Sequence, residues 1–280
     1  MPLLLLLVLA LPAADSLPAV ADSLAGHVIV LSVDDGYRSV YENVYPLLKR
    51  YGMTITLGVI ADNVTGQSPG YRPGATFMTQ SEIQEMIDSC DIEVASHTLS
   101  HPWLTRLSPE AAWREIHRSK LVLESLFDQP VVTFVYPYGD MNQAIRDMVR
   151  EAGYKLGRAV RPGPVDIWAD PYRIPEFELR RETSLEAAKA HIRSHRLSVI
   201  LLHRIVERPQ VFTEWPVRDF GRLLEWIHQS GGTTATLGDL YYDYWRRELV
   251  RKMIAVAGPI RPDRLFQQID VDATRTSHPR

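Results

Sequence analysis

The stretch HVIVLSVDDGY, residues 27–37, joins an apolar run to two adjacent carboxylates and a glycine. The run from His27 to Val33 is rich in Val, Ile and Leu, which predicts a buried β-strand. Asp34 and Asp35 follow this strand directly, and Gly36 permits the tight turn that would present both carboxylates. An Asp-Asp-Gly sequence is more often an ordinary turn, so its meaning depends on the rest of the chain.

Further apolar runs alternate with amphipathic segments along the chain. Residues 53–60, 91–95, 131–135, 154–160 and 197–202 read as strands, and helical patterns lie between them. Strands that alternate with helices indicate parallel βαβ units. About seven such units predict an α/β fold, either a barrel or a doubly wound sheet. In both folds functional residues gather where strands end and loops begin.

Several helices carry recognisable start signals. Thr79 to Glu82 form a capping box, and Ser108-Pro109 pairs a cap residue with a proline suited to the first helical turn. Ser184 begins another helix. We expect residues 39–51 to form one helix and residues 238–253 to form the last.

Polar residues follow four of the predicted strands, which places them at one edge of the sheet. Asp34 and Asp35 follow the first of these strands. His97 and His101 follow a second, Tyr138 follows a third, and His203 ends a fourth. The two histidines are four residues apart, so one helical turn ending before Pro102 would put both imidazoles on one side. Two unrelated loop histidines, and a structural His203, are the simpler alternatives.

Asp35, His97 and His101 together supply two imidazoles and one carboxylate, which leaves positions open for water and substrate on a divalent metal. Asp34 is then a spare carboxylate that can accept a proton. Such a set suits activation of a water molecule, because a bound metal lowers the pKa of water and a nearby carboxylate can take its proton.

Four segments, taken in order, resemble the motifs of the polysaccharide deacetylases, the NodB-homology group or carbohydrate esterase family 4. They are VDDGY (33–37), SHTLSHP (96–102), YPYG (136–139) and LLH (201–203). The resemblance extends from about His27 to Leu240. It implies a distorted (β/α) barrel of about seven parallel strands, a divalent metal that is usually Zn²⁺, and removal of acetyl groups from N-acetylglucosamine-type sugars. Residues 26–253 would form this domain.

The resemblance also implies a role for each matching residue. Asp35, His97 and His101 would hold the metal, and Asp34 would be the general base. His203 would be the general acid, and Tyr138 would direct its backbone N–H to the oxyanion. Within the family, the segment from Asp34 to Tyr51 looks most like the exported deacetylases of poly-β-1,6-N-acetylglucosamine, a biofilm exopolysaccharide.

The chain departs from the family pattern in the residues that support the site. The arginine that often precedes the Pro-Tyr-Gly segment is replaced by Val135 and Tyr136, so we consider Arg161 and Arg173 as substitutes. Asp166 and Asp170 are candidates for the acid that supports His203. Four aromatic residues are candidates for stacking on a sugar, with core packing as the simpler explanation; they are Tyr37, Trp103, Trp168 and Trp215.

Composition and the chain ends narrow the function further. The net charge of −3 gives no sign of nucleic-acid binding. Residues 1–21 read as a signal peptide or N-terminal anchor, and only this segment suggests membrane association. We therefore expect a secreted, periplasmic or cell-envelope protein. Residues 258–280 read as a mobile polar tail, and the single cysteine, Cys90, as a small core residue.

The sequence predicts a metal-dependent hydrolase that removes N-acetyl groups from a polysaccharide and releases acetate. Three alternatives stay open at this point. One is an inactive carbohydrate-binding barrel, although such a barrel would have no chemical need for Asp34, both metal histidines and His203. A second is an amidase that acts on a small non-sugar amide. The third is an iron oxygenase, which the extra Asp34 and His203 disfavour.

Overall fold

The computed structural model describes residues 23–66, 75–163, 165 and 170–243 of the 280-residue chain. This part contains ten β-strands. They are β1 (Val28–Val33), β2 (Thr56–Val59), β3 (Glu93–Ser96), β4 (Thr133–Val135), β5 (Leu156–Arg158), β6 (Phe177–Glu178), β7 (Leu197–Leu202), β8 (Arg204–Val206), β9 (Glu214–Pro216) and β10 (Thr233–Thr234).

Eight helices pack around these strands, and a further helical segment begins at residue 237 and is described to residue 243. The eight are α1 (Arg38–Asn43), α2 (Tyr45–Tyr51), α3 (Ala61–Thr65), α4 (Gln80–Cys90), α5 (Pro109–Phe127), α6 (Gln143–Glu151), α7 (Leu185–Ser194) and α8 (Val217–Gln229).

Seven strands form one curled parallel sheet in the order β5-β4-β3-β2-β1-β7-β6. The longest members are β1 and β7, and five of the six residues in each are buried, so both faces of these strands are covered. Runs of Val, Ile and Leu without alternation are typical of such doubly covered strands. The predicted α/β fold with about seven parallel strands is confirmed, and its form is a curled half-barrel.

The two edges of the sheet are joined by the chain that precedes β6. Ile174 bridges to Arg158 on β5, and Phe177, a few residues later, pairs with Ile200 on β7. β10 pairs in parallel with the first two residues of β1. β2 pairs with the last two residues of β1 along the same edge. The barrel is therefore distorted, with one irregular segment in place of a regular closing strand.

The predicted helix starts are confirmed, and one predicted helix is wrong. Thr79, Ser108 and Ser184 each accept a hydrogen bond from the backbone of the first turn. The expected helix over residues 39–51 is instead two helices, α1 and α2, which meet at Val44. Pro46 lies in the first turn of α2, where it has no N–H to donate and its ring interrupts a continuous helix.

Three expectations concern the chain ends and the cysteine. The predicted leader (1–21) and the predicted polar tail (258–280) both lie entirely outside the described residues. None of the helices in the described part combines the length and apolar character that crossing a bilayer requires. Cys90 is partly buried and packs against the main core, as expected of a small core residue.

Candidate active site

The carboxyl ends of the strands surround a cavity of about 380 Å³. Asp34 and Asp35 follow β1, and the backbone N–H of Asp34 donates to the carbonyl of Leu202, which immediately precedes His203. The cavity therefore gathers residues from distant parts of the sequence. Its lining consists of Asp34, Asp35, His97, His101, Tyr138, Val160, Glu178, Arg180, His203, Phe212 and Thr213. All six residues predicted for the site are among them.

Asp35, His97 and His101 bring three ligand atoms together in a buried cluster. The Nε2 atoms of the two histidines are 3.1 Å apart, and each lies 3.5 Å from Oδ1 of Asp35. Three ligands on a tetrahedral zinc ion, each about 2.0–2.1 Å from the metal, lie roughly 3.3 Å from one another. Within the described residues Oδ1 of Asp35 is buried without a hydrogen-bond partner. This donor set fits a divalent metal.

A hydrogen bond at Nδ1, the ring nitrogen away from the cluster, fixes the orientation of His97. Its Nδ1 donates to the carbonyl of Val135, the last residue of β4, over 2.8 Å. That hydrogen bond leaves Nε2 to face the cluster, which is the usual arrangement for a metal-ligating histidine.

The predicted helical turn between the two histidines is wrong, although the two side chains do meet. Thr98 and His101 have φ angles of 67° and 63°, in the left-handed region. The N–H of His101 donates to the hydroxyl of Thr98 over 2.9 Å. A compact irregular turn thus replaces one turn of α-helix, because Pro102 disfavours helical geometry at the residue before it.

Burial and mutual charge set the protonation of the three candidate ligands. Burial lowers the pKa of His101 to about 3, and the neighbouring His97 acts in the same direction. Burial opposes ionisation of Asp35, but the hydrogen bond and charge of His97 outweigh it and hold the pKa of Asp35 well below its usual range. Burial likewise opposes protonation of His97, yet Asp35 and Asp34 raise its pKa. His101 is therefore neutral near pH 7, the form in which an imidazole nitrogen can bind a metal.

Asp34 has a different partner from Asp35. Both of its carboxylate oxygens contact the guanidinium of Arg158, the last residue of β5, and both side chains are buried. The supporting arginine is therefore Arg158 rather than Arg161 or Arg173, the two candidates from sequence. Arg158 was missed because it lies 124 residues from Asp34 and outside any motif. Asp34 is held 3.9 Å from Nε2 of His97, close to the cluster yet paired with another group.

His203 lines the same cavity as the two candidate metal histidines, and 16% of its side chain is exposed. Its Nδ1 is 3.9 Å from the carboxylate of Glu178 on β6. Arg180 donates to the same carboxylate over 2.7 Å and so orients it. The acid beside His203 is therefore Glu178. Asp170 is instead paired with Arg146, and Asp166 lies outside the described residues.

Tyr138 occupies a tight turn after β4. Its φ and ψ angles are 59° and 6°, Gly139 has φ 69°, and the N–H of Asp140 donates to the carbonyl of Pro137 over 2.9 Å. These angles are typical of a type I′ turn. A Cβ on Gly139 would lie 2.8 Å from the Cβ of Val160, so glycine is required there. The turn holds Tyr138 at the cavity wall.

Three of the four aromatic candidates for sugar stacking lie within the described residues, and all three pack against neighbouring groups. Trp215 is buried, and its indole N–H donates to the carbonyl of Thr183, while Tyr37 is buried against Phe77. Trp103 is 39% exposed, but one face stacks on Tyr138 at 4.1 Å and Arg106 lies 4.5 Å from its ring. Trp168 lies outside the described residues. Trp103 thus packs face to face against Tyr138 and helps to hold its ring in place.

Known proteins share both the sequence and the fold. Residues 21–157 match the model of the family "Polysaccharide deacetylase". The Bacillus subtilis protein YxkH, which bears the name of the same family, is 29% identical over 166 residues, covering 59% of this chain and 56% of its own. The poly-beta-1,6-N-acetyl-D-glucosamine N-deacetylase of Staphylococcus aureus is 26% identical over 155 residues, 52% of each chain. The match thus spans about half the length of these relatives.

Two solved structures illustrate the shared fold. The peptidoglycan deacetylase PdaC of Bacillus subtilis superposes with a TM-score of 0.56 at 20% identity, over 81% of this chain and 96% of its own. The Xyl-CE4 domain of a xylanase from the hindgut metagenome of Trinervitermes trinervoides gives a TM-score of 0.57 at 20% identity, over 78% and 91%. Residues 21–157 therefore match the polysaccharide deacetylase family, and these solved structures show that the fold is shared.

Proposed function

We propose that the chain is a metal-dependent hydrolase that removes acetyl groups from N-acetylglucosamine residues of a polysaccharide. The observation that carries this proposal is that one cavity contains three separate groups of polar side chains. Asp35, His97 and His101 form the candidate metal site. Asp34 is paired with Arg158, and His203 lies beside Glu178. An inactive carbohydrate-binding barrel would not need this separation.

Each polar group has a distinct task in such a reaction. A divalent cation held there, for which the His/carboxylate donor set leads us to propose zinc, would polarise the acetyl carbonyl and lower the pKa of the attacking water. Asp34 accepts the proton of that water as the new carbon–oxygen bond forms. The backbone N–H of Tyr138 donates to the carbonyl oxygen as negative charge develops there.

Collapse of the tetrahedral intermediate requires a proton on the sugar nitrogen. His203 delivers that proton as the carbon–nitrogen bond breaks, which releases acetate and leaves a free amine on the sugar. Glu178 lies near the other ring nitrogen of His203 and supports the charged imidazolium before transfer. Asp34 and His203 thus act as a base and an acid on opposite sides of the reacting carbon.

For the substrate we propose poly-β-1,6-N-acetylglucosamine or a closely related exopolysaccharide. The similarity to the Staphylococcus aureus deacetylase, together with the motif segment 34–51, supports this choice. An exopolysaccharide is modified outside the cytoplasm, which agrees with the leader expected over residues 1–21. We accordingly place the enzyme in the cell envelope or outside it.

The test is acetate release from β-1,6-linked and β-1,4-linked N-acetylglucosamine oligomers, peptidoglycan and a small acetamide. We expect release with zinc, loss with a chelator and recovery when zinc is restored. Asp34→Asn should lower kcat by roughly 10²–10⁴-fold, because a general base contributes about that much. Asp88→Asn is a matched control. Asp88 is exposed on α4, and within the described residues its side chain accepts a hydrogen bond from Gln84 alone.

Different outcomes overturn different parts of this proposal. A rate that is unchanged by chelator and by Asp34→Asn would exclude the mechanism. Binding of oligomers without acetate release would identify a carbohydrate-binding barrel. Release from the small acetamide alone would identify an amidase, and a preference for β-1,4 linkages or peptidoglycan would replace the proposed substrate while leaving the chemistry intact.

A further inference from the structure

The turn that carries both metal-binding histidines is not a self-supporting structure. Thr98 and His101 have φ angles of 67° and 63°, a region that non-glycine residues rarely occupy. Backbone in this region costs of order 1 kcal/mol or more per residue and persists only where surrounding contacts hold it. The hydrogen bond from His101 N–H to the hydroxyl of Thr98 lies within the turn. A contact from outside the turn is therefore needed.

The N–H groups of Ala61 and Asp62 donate to the carbonyls of Thr98 and Leu99. Glu115, on the inner face of α5, contacts the amide side of the turn. It is only 9% exposed. Its Oε2 accepts hydrogen bonds from the backbone N–H groups of Leu99 and Ser100, each over 3.0 Å. Its Oε1 accepts from the hydroxyl of Ser100 over 2.8 Å. One buried carboxylate thus receives three donors, all from the residues between the two histidines.

One oxygen of Glu115 accepts from both backbone amides at once, so it fixes their positions relative to each other and to α5. Leu99 and Ser100 are the central residues between His97 and His101, and a shift of either would change the separation of the imidazoles. The opposite end of the turn is fixed independently, because His97 Nδ1 donates to Val135. Glu115 and Val135 therefore secure the turn at two points on two different elements.

We propose that Glu115 is a positioning residue that sets the spacing of the His97 and His101 imidazoles for metal binding. This inference rests on the proposed function, because the spacing that Glu115 sets matters only if a metal binds to His97 and His101. It concerns the affinity of the site for its metal rather than a step of the reaction, so it can be tested without substrate.

The experiment measures the dissociation constant of purified protein for Zn²⁺ by competition with a chromogenic chelator, and the visible absorption spectrum of the Co²⁺ form. Glu115→Ala removes all three acceptor contacts. We expect its Kd for Zn²⁺ to rise about 10- to 100-fold, the range typical when an outer partner of a metal ligand is lost. The Co²⁺ spectrum should change as well, because the ligand geometry relaxes.

Two variants serve as matched comparisons. Glu115→Gln keeps an oxygen that can accept from both amides, so its Kd and spectrum should stay close to those of the unmodified protein. Glu124→Ala removes another carboxylate of α5, which accepts from Lys120 and from the N–H of Val131 but does not touch the histidine turn. Its metal affinity should also be unchanged. If Glu115→Ala fails to fold, Glu115→Asp replaces it, because its shorter side chain cannot reach both amides.

The outcomes separate this inference from the proposed function. If Glu115→Ala binds Zn²⁺ as tightly as the unmodified protein, the inference is wrong while the metal site stands. If Glu124→Ala weakens binding equally, α5 acts through general stability and the inference is again wrong. If the unmodified protein binds neither Zn²⁺ nor Co²⁺, the proposed metal dependence fails and the inference fails with it.

Discussion

Glu176 shows how burial changes the chemistry of a single residue beside the active site. Its side chain is almost fully buried, and burial raises the pKa of its carboxyl group to about 8. The charged groups that face it act in both directions. Arg158 and Arg180 favour the ionised form, whereas Glu178 and Asp34 oppose it. Near neutral pH Glu176 is therefore mainly a neutral acid that adds no negative charge next to the Asp34–Arg158 pair.

This shift predicts a pH-dependent effect of Glu176→Gln on stability. In the unfolded chain the carboxyl ionises near 4.5, whereas in the folded protein it keeps its proton up to about pH 8. Stability contributed by this group is therefore present below pH 4.5 and is lost as pH rises towards 8. Glutamine does not titrate, so the variant should gain about 4 kcal/mol relative to the unmodified protein between pH 4.5 and 8.5.

Urea unfolding of both proteins at pH 4.5, 6.5 and 8.5 measures this difference. Glu151→Gln is the control, since Glu151 is exposed near the end of α6. A stability difference for Glu176→Gln that is constant across the pH range would contradict the prediction.

At the scale of elements, the connection between β8 and β9 forms one wall of the cavity. The carboxylate of Glu214 accepts from the N–H of Val211 over 3.0 Å and also from that of Gln210. The N–H of Arg181 donates to the carbonyl of Phe212 over 2.9 Å. Phe212 is nevertheless 55% exposed and lines the cavity. Because Phe212 lines the cavity next to the candidate site, we expect its ring to contact a bound substrate.

We expect Phe212→Ala to weaken binding of the polysaccharide without changing the chemistry. The KM for an N-acetylglucosamine oligomer should rise roughly fivefold to tenfold, the loss expected of one aromatic contact worth about 1 kcal/mol. The kcat should change little, and hydrolysis of a small acetamide or acetate ester should be unaffected. Steady-state kinetics on both substrates measure this split.

Leu121→Ala is the matched control for Phe212→Ala. Leu121 is similarly exposed, at 52%, but it lies on α5 away from the cavity. Equal effects of the two substitutions, or a fall in kcat with KM unchanged for Phe212→Ala, would show that Phe212 does not contact the substrate.

At the scale of the whole molecule, the site exists because the sheet curls. β5 and β1 are four positions apart in the sheet order, so Arg158 and Asp34 would lie about 19 Å apart in a flat sheet with strands spaced roughly 4.8 Å. In the folded chain they are in direct contact. The buried pair therefore forms only when the sheet curls, and it links the edge strand β5 to β1 across the curl.

A double-mutant cycle tests this link. Arg158→Met leaves the carboxylate of Asp34 buried without its cation and should cost about 3–5 kcal/mol of unfolding free energy. Arg158→Met combined with Asp34→Asn should be more stable than Arg158→Met alone, because no uncompensated charge remains. Arg150→Met is the control, since Arg150 is exposed and its pair with Asp147 should contribute less than about 1 kcal/mol. Additive effects of Arg158→Met and Asp34→Asn in urea unfolding would contradict the coupling.

What the sequence determined by itself rests on local chemistry. Uninterrupted apolar runs identified the buried parallel strands, and the caps at Thr79, Ser108 and Ser184 identified helix starts, because each depends on residues within one turn. Polar residues directly after strands identified the cavity lining, since parallel strands end at the same edge. Local signals failed where Pro46 divided a predicted helix and where the His97–His101 turn adopted left-handed backbone.

Only the tertiary structure decided which groups support the site. Arg158 reaches Asp34 across 124 residues, Glu178 lies beside His203, and Glu115 braces a turn 15 and 16 residues before it. Arg161, Arg173 and Asp170 were equally reasonable from sequence, because a charged side chain carries no local mark of its partner. The curl of the sheet makes these pairs, and curvature is a property of how all the strands pack together rather than of any one segment.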